Sequence, residues 1–491
     1  MGDSNVFWEM TGEYDSGLGE GASEVPVYDA LSGRAFVVNA VEGSVDILDM
    51  SLPHHPNLIH RIGVSNGEPN SVAVHDGLVA IAVAGDGAEG SGMSKQDPGY
   101  VVFTDADGQY ITSVNAGALP DMLTFTPNGD AVLVANEGEP NGDYTIDPEG
   151  TVSYIDLSGG VSSLAQSDVT SINFHAFEAS AASLAQEGVR IFGPNANVSE
   201  DLEPEYIAIS GDGLTAMVVL QENNALAEID LTTKTVTDIH AMGYKDYSLG
   251  EYDFSDRDGG VNFVTTDKVW GMYQPDAITS FEIDGVTYYM TANEGDARDY
   301  DGYSEEVRAD DLTLNTTAFP NGVQDEDLGR LKTTTANDCG DLDGDGAVDV
   351  ICSYGARSAT IWTIDANGAL VMVWDSNDAF DHLATSQGEY INSYTASRND
   401  DKSIEPEGVT IGHAFGKTYA FVCLERAGGI MVYDVSEPTA PEFVQYIYLH
   451  EHVSPEAMAF VSSADSPNGL AMLIVAHEVS GTVVVLQPTF V

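Results

Sequence analysis

A repeated pattern of proline, polar residue and apolar run constrains the fold of this chain more than any other feature of its sequence. Six segments carry this pattern: EPNSVAV from Glu68, LPDMLTF from Leu119, EPEYIAI from Glu203, QPDAITS from Gln274, EPEGVTI from Glu405 and SPEAMAF from Ser454. A seventh, degenerate copy is SEVPVYD from Ser23. Each copy continues through a turn into a second apolar run and a third that often ends in Asp. Seven copies of about four short strands predict an all-β protein with the fold of a seven-bladed β-propeller.

The spacing of the copies predicts one propeller over residues 1–491 with long loop insertions. The blade starts lie near residues 24, 70, 121, 205, 276, 407 and 456. A bare blade needs about 45 residues, so the wider gaps hold insertions, the longest of which contains residues 299–353. The N-terminal run FWEMTG is expected to add an outer strand to the seventh blade, which closes the ring and protects the sheet edges. One helix is predicted at residues 176–187.

The chain is strongly acidic, and its charge excludes one class of partner. The 79 Asp and Glu residues outnumber 17 Lys and Arg, which gives a formal net charge of −62. Such a field repels nucleic acid and anionic membranes and attracts cations. One explanation is a halophilic or marine surface, on which salt screens the repulsion; the other is a set of specific metal sites. No apolar run reaches the roughly 18 residues that a membrane span needs, so no transmembrane segment is expected.

The repeat predicts that many carboxylates meet at the mouth of the central channel. In a blade, the connection into the innermost strand and the connection after the second strand open on the same face. The first set at this mouth comprises Glu68, Asp121, Glu203, Glu205, Asp276, Glu405, Glu407 and Glu456. The second set comprises Glu42, Glu137, Glu139, Glu222, Glu294, Asp296, Glu425, His477 and Glu478.

Carboxylates at such close range cannot all stay ionised without cations. Sites rich in oxygen select hard ions, so calcium is favoured over zinc at several sites, and a second metal at the mouth is a further expectation. The alternative is that each acid caps a strand and binds backbone N–H groups.

Basic residues are scarce, yet several are predicted on the same face. They are Arg298, Arg357, Arg398, Lys402 and Arg426, which together make five of the 17 in the chain. Arginines beside bound metal ions can hold an anion, because their planar donors suit the oxygens of a phosphate ester. In that interpretation Arg298, Arg357 and Arg398 hold the phosphoryl oxygens, and a metal activates water. The alternative is that each arginine pairs with a nearby carboxylate and holds a loop.

The segment CGDLDGDGAVDVIC, residues 339–352, is the most specific local motif. Its carboxylates occupy the first, third, fifth and ninth positions of a calcium loop, at Asp341, Asp343, Asp345 and Asp349. The Ala347 carbonyl can add a ligand, and Gly346 allows the turn. The twelfth position is Cys352 rather than Glu, so the motif resembles the shorter calcium loops of dockerin or thrombospondin type. The alternative is an acidic hairpin tip without a metal.

The three cysteines bear on the compartment of the protein. Cys339 and Cys352 flank the acidic loop, and we expect them to form a disulfide, which indicates an oxidising environment. Cys423 lies in an apolar run and is expected to be a buried free thiol.

The order of the motifs resembles that of the choice-of-anchor I domain family. The resemblance is carried by SGLGEGASEVPVYDALSGRAFVVNA, ANEGEPNGDYTIDPEGTVSYID, ANEGDARDY, GARSATIW, SRNDDKSIEPEGVTIG, LERAGGIMVYD and VAHEVSGTVVVL, which together span nearly the whole chain. That family includes mesenchyme-specific cell-surface glycoproteins linked to biomineralisation and large secreted proteins described as alkaline phosphatases. The resemblance implies an extracellular or cell-surface propeller. The pair His477–Glu478 departs from the family, which is expected to have Asn before the acid.

Two main hypotheses of function follow from these observations. The first is a secreted, calcium-dependent phosphoesterase, in which Glu294, Asp296, Glu405 and Glu407 bind the metal. The second is a calcium-binding surface protein without catalysis, for adhesion, matrix or mineral. A carbohydrate-binding or lyase propeller is a third interpretation, against which the scarcity of clustered aromatic residues at the mouth argues.

Overall fold

Seven four-stranded antiparallel sheets are present in the residues that the computed structural model describes, which are 6–85, 87, 93–195, 197–336, 339–386 and 396–490. We call these sheets blades 1 to 7 and label their strands A to D from the inside outward. In blades 1 to 6 the strands follow chain order, and in blade 7 the N-terminal strand supplies strand D. The predicted all-β propeller class is therefore confirmed.

The strand bounds match the repeat closely. Blades 1 and 2 consist of Pro26–Asp29, Arg34–Asn39, Ser44–Asp49 and Asn57–Gly63, then Glu68–His75, Leu78–Ala84, Pro98–Asp105 and Tyr110–Ala118. Blades 3 and 4 consist of Pro120–Phe125, Ala131–Asn136, Thr151–Asp156 and Val169–Ile172, then Pro204–Ile209, Thr215–Leu220, Ala225–Asp230 and Thr235–Ala241. Blades 5 and 6 consist of Ala277–Ile283, Val286–Asn293, Ser358–Ile364 and Leu370–Asp375, then Pro406–Ala414, Lys417–Leu424, Ile430–Asp434 and Glu442–Ile447. Blade 7 consists of Pro455–Val461, Met472–His477, Thr482–Phe490 and Val6–Asp15.

The A strands pack side by side in chain order, and strand A of blade 7 returns to contact strand A of blade 1. Blades therefore stack face against face around a ring. This explains why the B strands read as continuous apolar runs, since both faces of the sheet meet a neighbour. Ala131–Asn136, for example, is buried at every position.

The N-terminal strand closes the ring as the sequence predicts. Val6–Asp15 pairs antiparallel with Thr482–Phe490 along most of its length. Trp8 is fully buried in this strand and packs edge-on against Phe421 of blade 6, with ring centroids 5.0 Å apart. Closure thus joins the two ends of the chain through both backbone pairing and a buried aromatic contact.

Helices are few and short. The helix predicted at residues 176–187 is present in two parts, a 3-10 helix at His175–Ser180 and an α-helix at Ala181–Glu187. The other α-helices of the described residues are Val198–Asp201 and Ala379–Ser386, and the other 3-10 helices are Val161–Ser163, Gln166–Asp168, Tyr247–Leu249, Ala309–Asp311 and Ala396–Arg398. Among the described residues, none of these helices has the length and apolar character required to cross a membrane.

The long insertion lies between strands B and C of blade 5 and carries small sheets of its own. Asp299–Tyr300 pairs with Tyr303–Ser304, and Glu306–Arg308 pairs with Lys332–Thr334. A three-stranded sheet joins the insertion to the connection between blades 4 and 5; its strands are Tyr244–Asp246, Val269–Met272 and Ile351–Ser353. Residues 337 and 338 of the predicted insertion lie outside the described residues.

Candidate cation site at the channel mouth

The residues that follow the repeated prolines meet around the propeller axis. Asp121, Asp276, Glu407 and Glu456 line one cavity of about 170 Å³, with Asn70 at the matching position of blade 2. Each of these residues stands at or next to the start of strand A in its blade. We call these four acids, together with Glu24 and Glu205, the ring carboxylates. The cavity thus brings together acids from four separate copies of the repeat.

In four of the blades, an unusual backbone turn precedes the strand that carries the ring carboxylate. Leu119, Gln274, Glu405 and Ser454 each precede the proline of their copy and have φ values of 49°, 38°, 50° and 60°. This left-handed conformation is costly for residues with a side chain. All four side chains are buried, whereas the acid two positions later in each copy lines the cavity. The turn therefore separates a buried side chain from a carboxylate at the axis.

Burial is the main reason that the ring carboxylates bind protons more tightly than usual. It raises the pKa of Asp121 to about 7 and that of Asp276 to about 6, and neighbouring carboxylates add to the rise. The pKa values of Glu205, Glu407 and Glu456 are raised well above the ordinary value for the same two reasons. Ionising the ring at neutral pH therefore requires a compensating positive charge.

Three ring oxygens have no hydrogen-bond partner among the residues that the structure describes. The Oε2 atoms of Glu205, Glu407 and Glu456 are buried and form no hydrogen bond with any described residue. An acid that caps a strand satisfies its oxygens with backbone N–H groups. The capping alternative consequently does not account for these three atoms, whereas a bound cation would satisfy them.

A second group of acids stands beside the ring. One carboxylate oxygen from each of Glu294, Glu405 and Glu425 lies within 4.8 Å of the others. We call this group the mouth triad. Lys402 places its Nζ 2.6 Å from Glu294 and 3.6 Å from Glu405. The triad is thus neutralised in part by an ammonium group of the chain itself.

Two arginines also reach the mouth triad from the surface. Arg398 forms an ion pair with Glu405, and Arg426 lies 3.0 Å from Glu425 and 3.5 Å from Glu405. The side chains of Arg398 and Arg426 are 34% and 45% exposed. These two arginines therefore remain accessible to an anion from solution.

Arg298 lies in the environment of the second interpretation, in which an arginine pairs with carboxylates of the chain. Its guanidinium is buried, with Nη1 2.6 Å from Asp201 Oδ1 and Nη2 2.6 Å from the Asp201 carbonyl and 3.2 Å from Glu203. It also stacks on Phe192, at 4.7 Å from the ring centroid. For Arg298 this geometry favours the alternative in which an arginine holds loops together.

Arg357 is buried in the same manner but binds backbone groups. Its Nη1 donates to the Asp253 carbonyl at 2.6 Å, and its Nη2 donates to the carbonyls of Asn399 at 2.8 Å and Asp401 at 3.0 Å. Arg357 thereby joins the blade 5 insertion to the segment that leads into blade 6. Its geometry likewise favours a role in holding loops.

The remaining predicted acids are spread over the mouth. Glu203 is buried and Glu137 is half-buried, and both have pKa values raised well above the ordinary value, mainly by desolvation. Burial also raises the pKa of Glu478. Asp296 is more exposed and lies 3.9 Å from Lys402.

Two residues at or near this site were not identified as site residues from the sequence. Glu24 has its pKa raised to about 8 by burial and by its neighbours Glu478 and Glu68, although its copy of the repeat is degenerate. Asp201 pairs with Arg298 from a position 97 residues away. No spacing in the sequence signals that pair, because it depends on how two insertions pack.

The acidic loop of the insertion has a geometry consistent with its motif. Carboxylate oxygens of Asp341, Asp343 and Asp345 lie within 4.8 Å of one another. Asp341 accepts hydrogen bonds from the N–H groups of Gly344 and Gly346, both at 2.8 Å. Asp349, by contrast, accepts from the Leu342 N–H at 3.1 Å and does not belong to this close group of carboxylates. Cys339 and Cys352 form a disulfide at the base of the loop, with Cα atoms 6.2 Å apart, and Cys423 is a buried free thiol.

We expect Asp343→Asn to weaken calcium binding by the loop about tenfold, which equals about 1.4 kcal/mol. The reason is that the substitution removes one charge from a compact group of three while keeping the shape of the side chain. Asp301→Asn is a matched control, because Asp301 is an exposed acid in the same insertion. Calcium titration by calorimetry checks the prediction; equal loss of affinity in both variants would show that general charge, and not the loop, attracts the ion.

Comparisons with known proteins place the chain in a family and agree on its fold. The model of the choice-of-anchor I domain matches residues 24–438. A mesenchyme-specific cell surface glycoprotein of Strongylocentrotus purpuratus is 25% identical over 332 residues, which cover 58% of this chain and 42% of that protein. The chain therefore spans less than half the length of this relative.

Solved structures with low sequence identity show the fold alone. Hydrazine synthase of Kuenenia stuttgartiensis aligns with a TM-score of 0.51 and 13% identity, covering 95% of this chain and 96% of its own. The Cps50 (Swd1) β-propeller domain of Myceliophteria thermophila aligns with a TM-score of 0.50 and 9% identity, covering 98% of this chain and 100% of its own. With the family match spanning most of the sequence, the chain belongs to the choice-of-anchor I domain family.

Proposed function

We propose that this chain is a secreted or cell-surface propeller that binds calcium ions with the carboxylates of its channel mouth. The observation that carries the proposal is the set of buried Oε2 atoms on Glu205, Glu407 and Glu456, which form no hydrogen bond within the described part of the chain. Buried charge without a partner costs several kcal/mol per ion. A divalent cation removes that cost at any pH at which the acids are ionised, whereas protonation removes it only below their raised pKa values.

The ligand chemistry supports a hard ion. The mouth triad offers carboxylate oxygens from Glu294, Glu405 and Glu425 within a small volume, and calcium takes six to eight oxygen ligands in flexible geometry. Lys402 holds the triad in the absence of a metal. Calcium binding there would release the lysine toward solvent or toward Asp296. The ring and the loop at residues 341–349 supply further sites, and a second metal at the mouth belongs to the same proposal.

An extracellular location accords with two observations and with the general chemistry of disulfides. The curated relative is named a cell surface glycoprotein, the chain contains a disulfide between Cys339 and Cys352, and disulfides persist in oxidising compartments. Millimolar calcium is available outside cells, where extracellular modules bind the ion with modest affinity.

Calcium titration of a ring variant tests the proposal. Glu407→Gln combined with Glu456→Gln keeps the side-chain shape and imitates the protonated acids, so the fold should persist. We expect the double variant to lose at least one calcium site, or to bind it about tenfold more weakly, at pH 8. Glu282→Gln, an exposed acid on strand A of blade 5, serves as the control. Absence of calcium binding in the unmodified protein at pH 8 would refute the proposal.

A phosphoesterase is the second candidate, and one observation favours it. Arg398 and Arg426 are partly exposed beside the mouth triad, so a metal in the triad and two arginines would face the same anion. Metal ions stabilise the charge of a phosphoryl transition state and generate hydroxide from water. Arg298 and Arg357 would contribute to this mechanism only by stabilising the loops around the site.

Turnover of p-nitrophenyl phosphate and its diester tests this second candidate. With calcium, magnesium, manganese, zinc or iron present, we expect Arg398→Ala combined with Arg426→Ala to lower kcat/KM about a hundredfold, as for loss of a transition-state contact. The calcium affinity of the loop serves as the control, since it should not change. Lack of turnover with every metal between pH 6 and 9 would leave calcium binding as the function.

A further inference from the structure

The last residue of strand B occupies the same position in four of the blades. In blades 1, 3 and 5 it is Asn39, Asn136 and Asn293, and in blade 7 it is His477; each pairs with the first residue of strand C. All four side chains are buried. The amide nitrogen of each asparagine donates to a side chain of strand C, at distances between 2.8 and 3.3 Å. The three asparagines therefore show what a structural residue does at this position.

His477 differs from these asparagines. Its Nδ1 atom is buried and forms no hydrogen bond with any residue in the described ranges. The strand C hydroxyl of the residue that pairs with it, Thr482 Oγ1, lies 3.0 Å from Nδ1 of a second histidine, His452. His452 is also buried, in the connection between blades 6 and 7, and the two imidazole rings have centroids 5.3 Å apart. Two buried imidazoles are thus neighbours at the end of strand B in blade 7.

A chain of hydroxyl groups fixes the tautomer of His452. Ser480 Oγ lies 3.5 Å from the Val453 carbonyl, to which it donates its single hydrogen, and 2.9 Å from Thr482 Oγ1. Because Ser480 has no second hydrogen, Thr482 donates to Ser480 and accepts from the Nδ1–H of His452. Nε2 of His452 therefore carries a lone pair. Histidines that bind a metal through one ring nitrogen are usually oriented by such a partner on the other nitrogen.

The surroundings of the two rings favour a metal ion that binds nitrogen. Imidazole is a ligand for zinc and other first-row transition metals, whereas calcium takes oxygen. Two imidazoles on one tetrahedral zinc ion have ring centroids about 5 Å apart, because each Zn–N bond measures about 2.0–2.1 Å. Burial lowers the pKa of both rings, so both favour the neutral form that binds a metal. The charges of Glu13, Asp15 and Glu451, all exposed, act on His452 and attract cations to this side of the blade.

We propose that His452 and His477 form a binding site for a transition-metal ion of the zinc type, separate from the carboxylates of the channel mouth. His477 binds the ion through Nδ1, and His452 binds it through Nε2. Two protein ligands leave the other positions of a tetrahedral ion open to water or to a small molecule from solution. The site does not depend on the proposed function, because it uses neither the ring carboxylates nor the mouth triad.

Zinc titration by calorimetry tests the proposal on the unmodified protein, with excess calcium present to compete for carboxylate oxygens. We expect a single tight zinc site, whose affinity falls at least about tenfold in His477→Asn. Asparagine is the residue that blades 1, 3 and 5 carry at this position, so this variant should fold. His55→Asn is the matched control, because His54 and His55 are a second pair, with ring centroids 5.0 Å apart, but both are exposed.

A second variant keeps both imidazoles and tests the hydroxyl that orients one of them. Thr482→Val retains the β-branched shape but removes the acceptor of His452, so zinc affinity should fall about tenfold. Cobalt(II), a coloured substitute for zinc, should give visible absorption bands that change in His477→Asn and persist in His55→Asn. Absence of zinc binding in excess calcium, or equal zinc affinity in the unmodified protein and His477→Asn, would overturn the proposal. Equal losses in His477→Asn and His55→Asn would also overturn it.

Discussion

Replacing Arg298 with alanine is expected to lower the free energy of unfolding by about 3–5 kcal/mol. The substitution removes the positive charge that lies 2.6 Å from Asp201 and 3.2 Å from Glu203, both of which are buried. Two carboxylates would then remain in the interior without compensation. Loss of the stacking contact with Phe192 adds to the cost. Denaturant unfolding followed by tryptophan fluorescence measures the effect.

Arg257→Ala provides the contrast for this prediction. Arg257 pairs with Asp256 at 3.2 Å, but its side chain is 55% exposed, and exposed ion pairs contribute about 0–1 kcal/mol. A small effect is therefore expected in the control. An Arg298→Ala protein with unchanged stability and a selective loss of phosphatase turnover would contradict the structural role and restore the catalytic interpretation of this residue.

Without a divalent cation, the stability of the protein is expected to fall as the pH rises from about 5 to 8. Burial, together with neighbouring carboxylates, raises the pKa of Glu24 and of Glu294 to about 8, and that of Asp121 to about 7. In this window the folded state binds more protons than the unfolded state. The stabilisation is complete below the ordinary carboxyl pKa and is lost as the pH passes the raised values. A difference of one pKa unit between the folded and unfolded states changes the free energy of unfolding by up to about 1.4 kcal/mol. Several such groups therefore have a large combined effect on stability.

Two histidines oppose this trend at the acidic end. Burial lowers the pKa of His477 to about 3 and also lowers the pKa of His452. The folded protein favours the neutral form of both rings, so their contribution is present above the ordinary histidine pKa and is lost as the pH falls below it. The profile without metal should therefore pass through a maximum near pH 5 to 6.

Calcium should reverse the loss of stability at high pH. A ligand at a hundred times its Kd stabilises the folded state by about 2.7 kcal/mol per site, and the ring must be ionised to bind it. The gain in Tm on adding calcium should consequently be larger at pH 8 than at pH 5.5. Sodium chloride at matched ionic strength separates this effect from general screening of the acidic surface. Equal stabilisation by sodium and calcium would favour the halophilic explanation of the charge.

The propeller itself could be predicted from the sequence because each blade carries its own local signal. The pair of proline and polar residue, the apolar runs and the turns recur in every copy, and ring closure follows from the placement of FWEMTG at the N-terminus. The predicted starts differ from the observed A strands by no more than two residues, as at residue 24 against Pro26. The positions of the ring carboxylates other than Glu24 followed from the same repeat.

The partners of the buried arginines could not be predicted in this way. Arg357 binds carbonyl groups from positions as far as 104 residues away. Every residue has a backbone carbonyl, so the sequence does not show which of them will accept a hydrogen bond. The left-handed turns before the prolines could not be predicted either. Glycine is the usual sign of this conformation, and none of the four residues, Leu119, Gln274, Glu405 and Ser454, is a glycine. The packing of an insertion depends on contacts with distant parts of the chain. The sequence around an arginine therefore does not show whether its side chain faces a phosphate or a buried aspartate.

The most direct test of cation binding at the channel mouth is an anomalous difference map from crystals grown with calcium at pH 8. We expect a peak about 2.3–2.6 Å from oxygens of Glu294, Glu405 and Glu425 or of the ring carboxylates, with Lys402 moved away from Glu294. A map with no peak at the channel mouth, and with Lys402 still 2.6 Å from Glu294, would contradict the proposal.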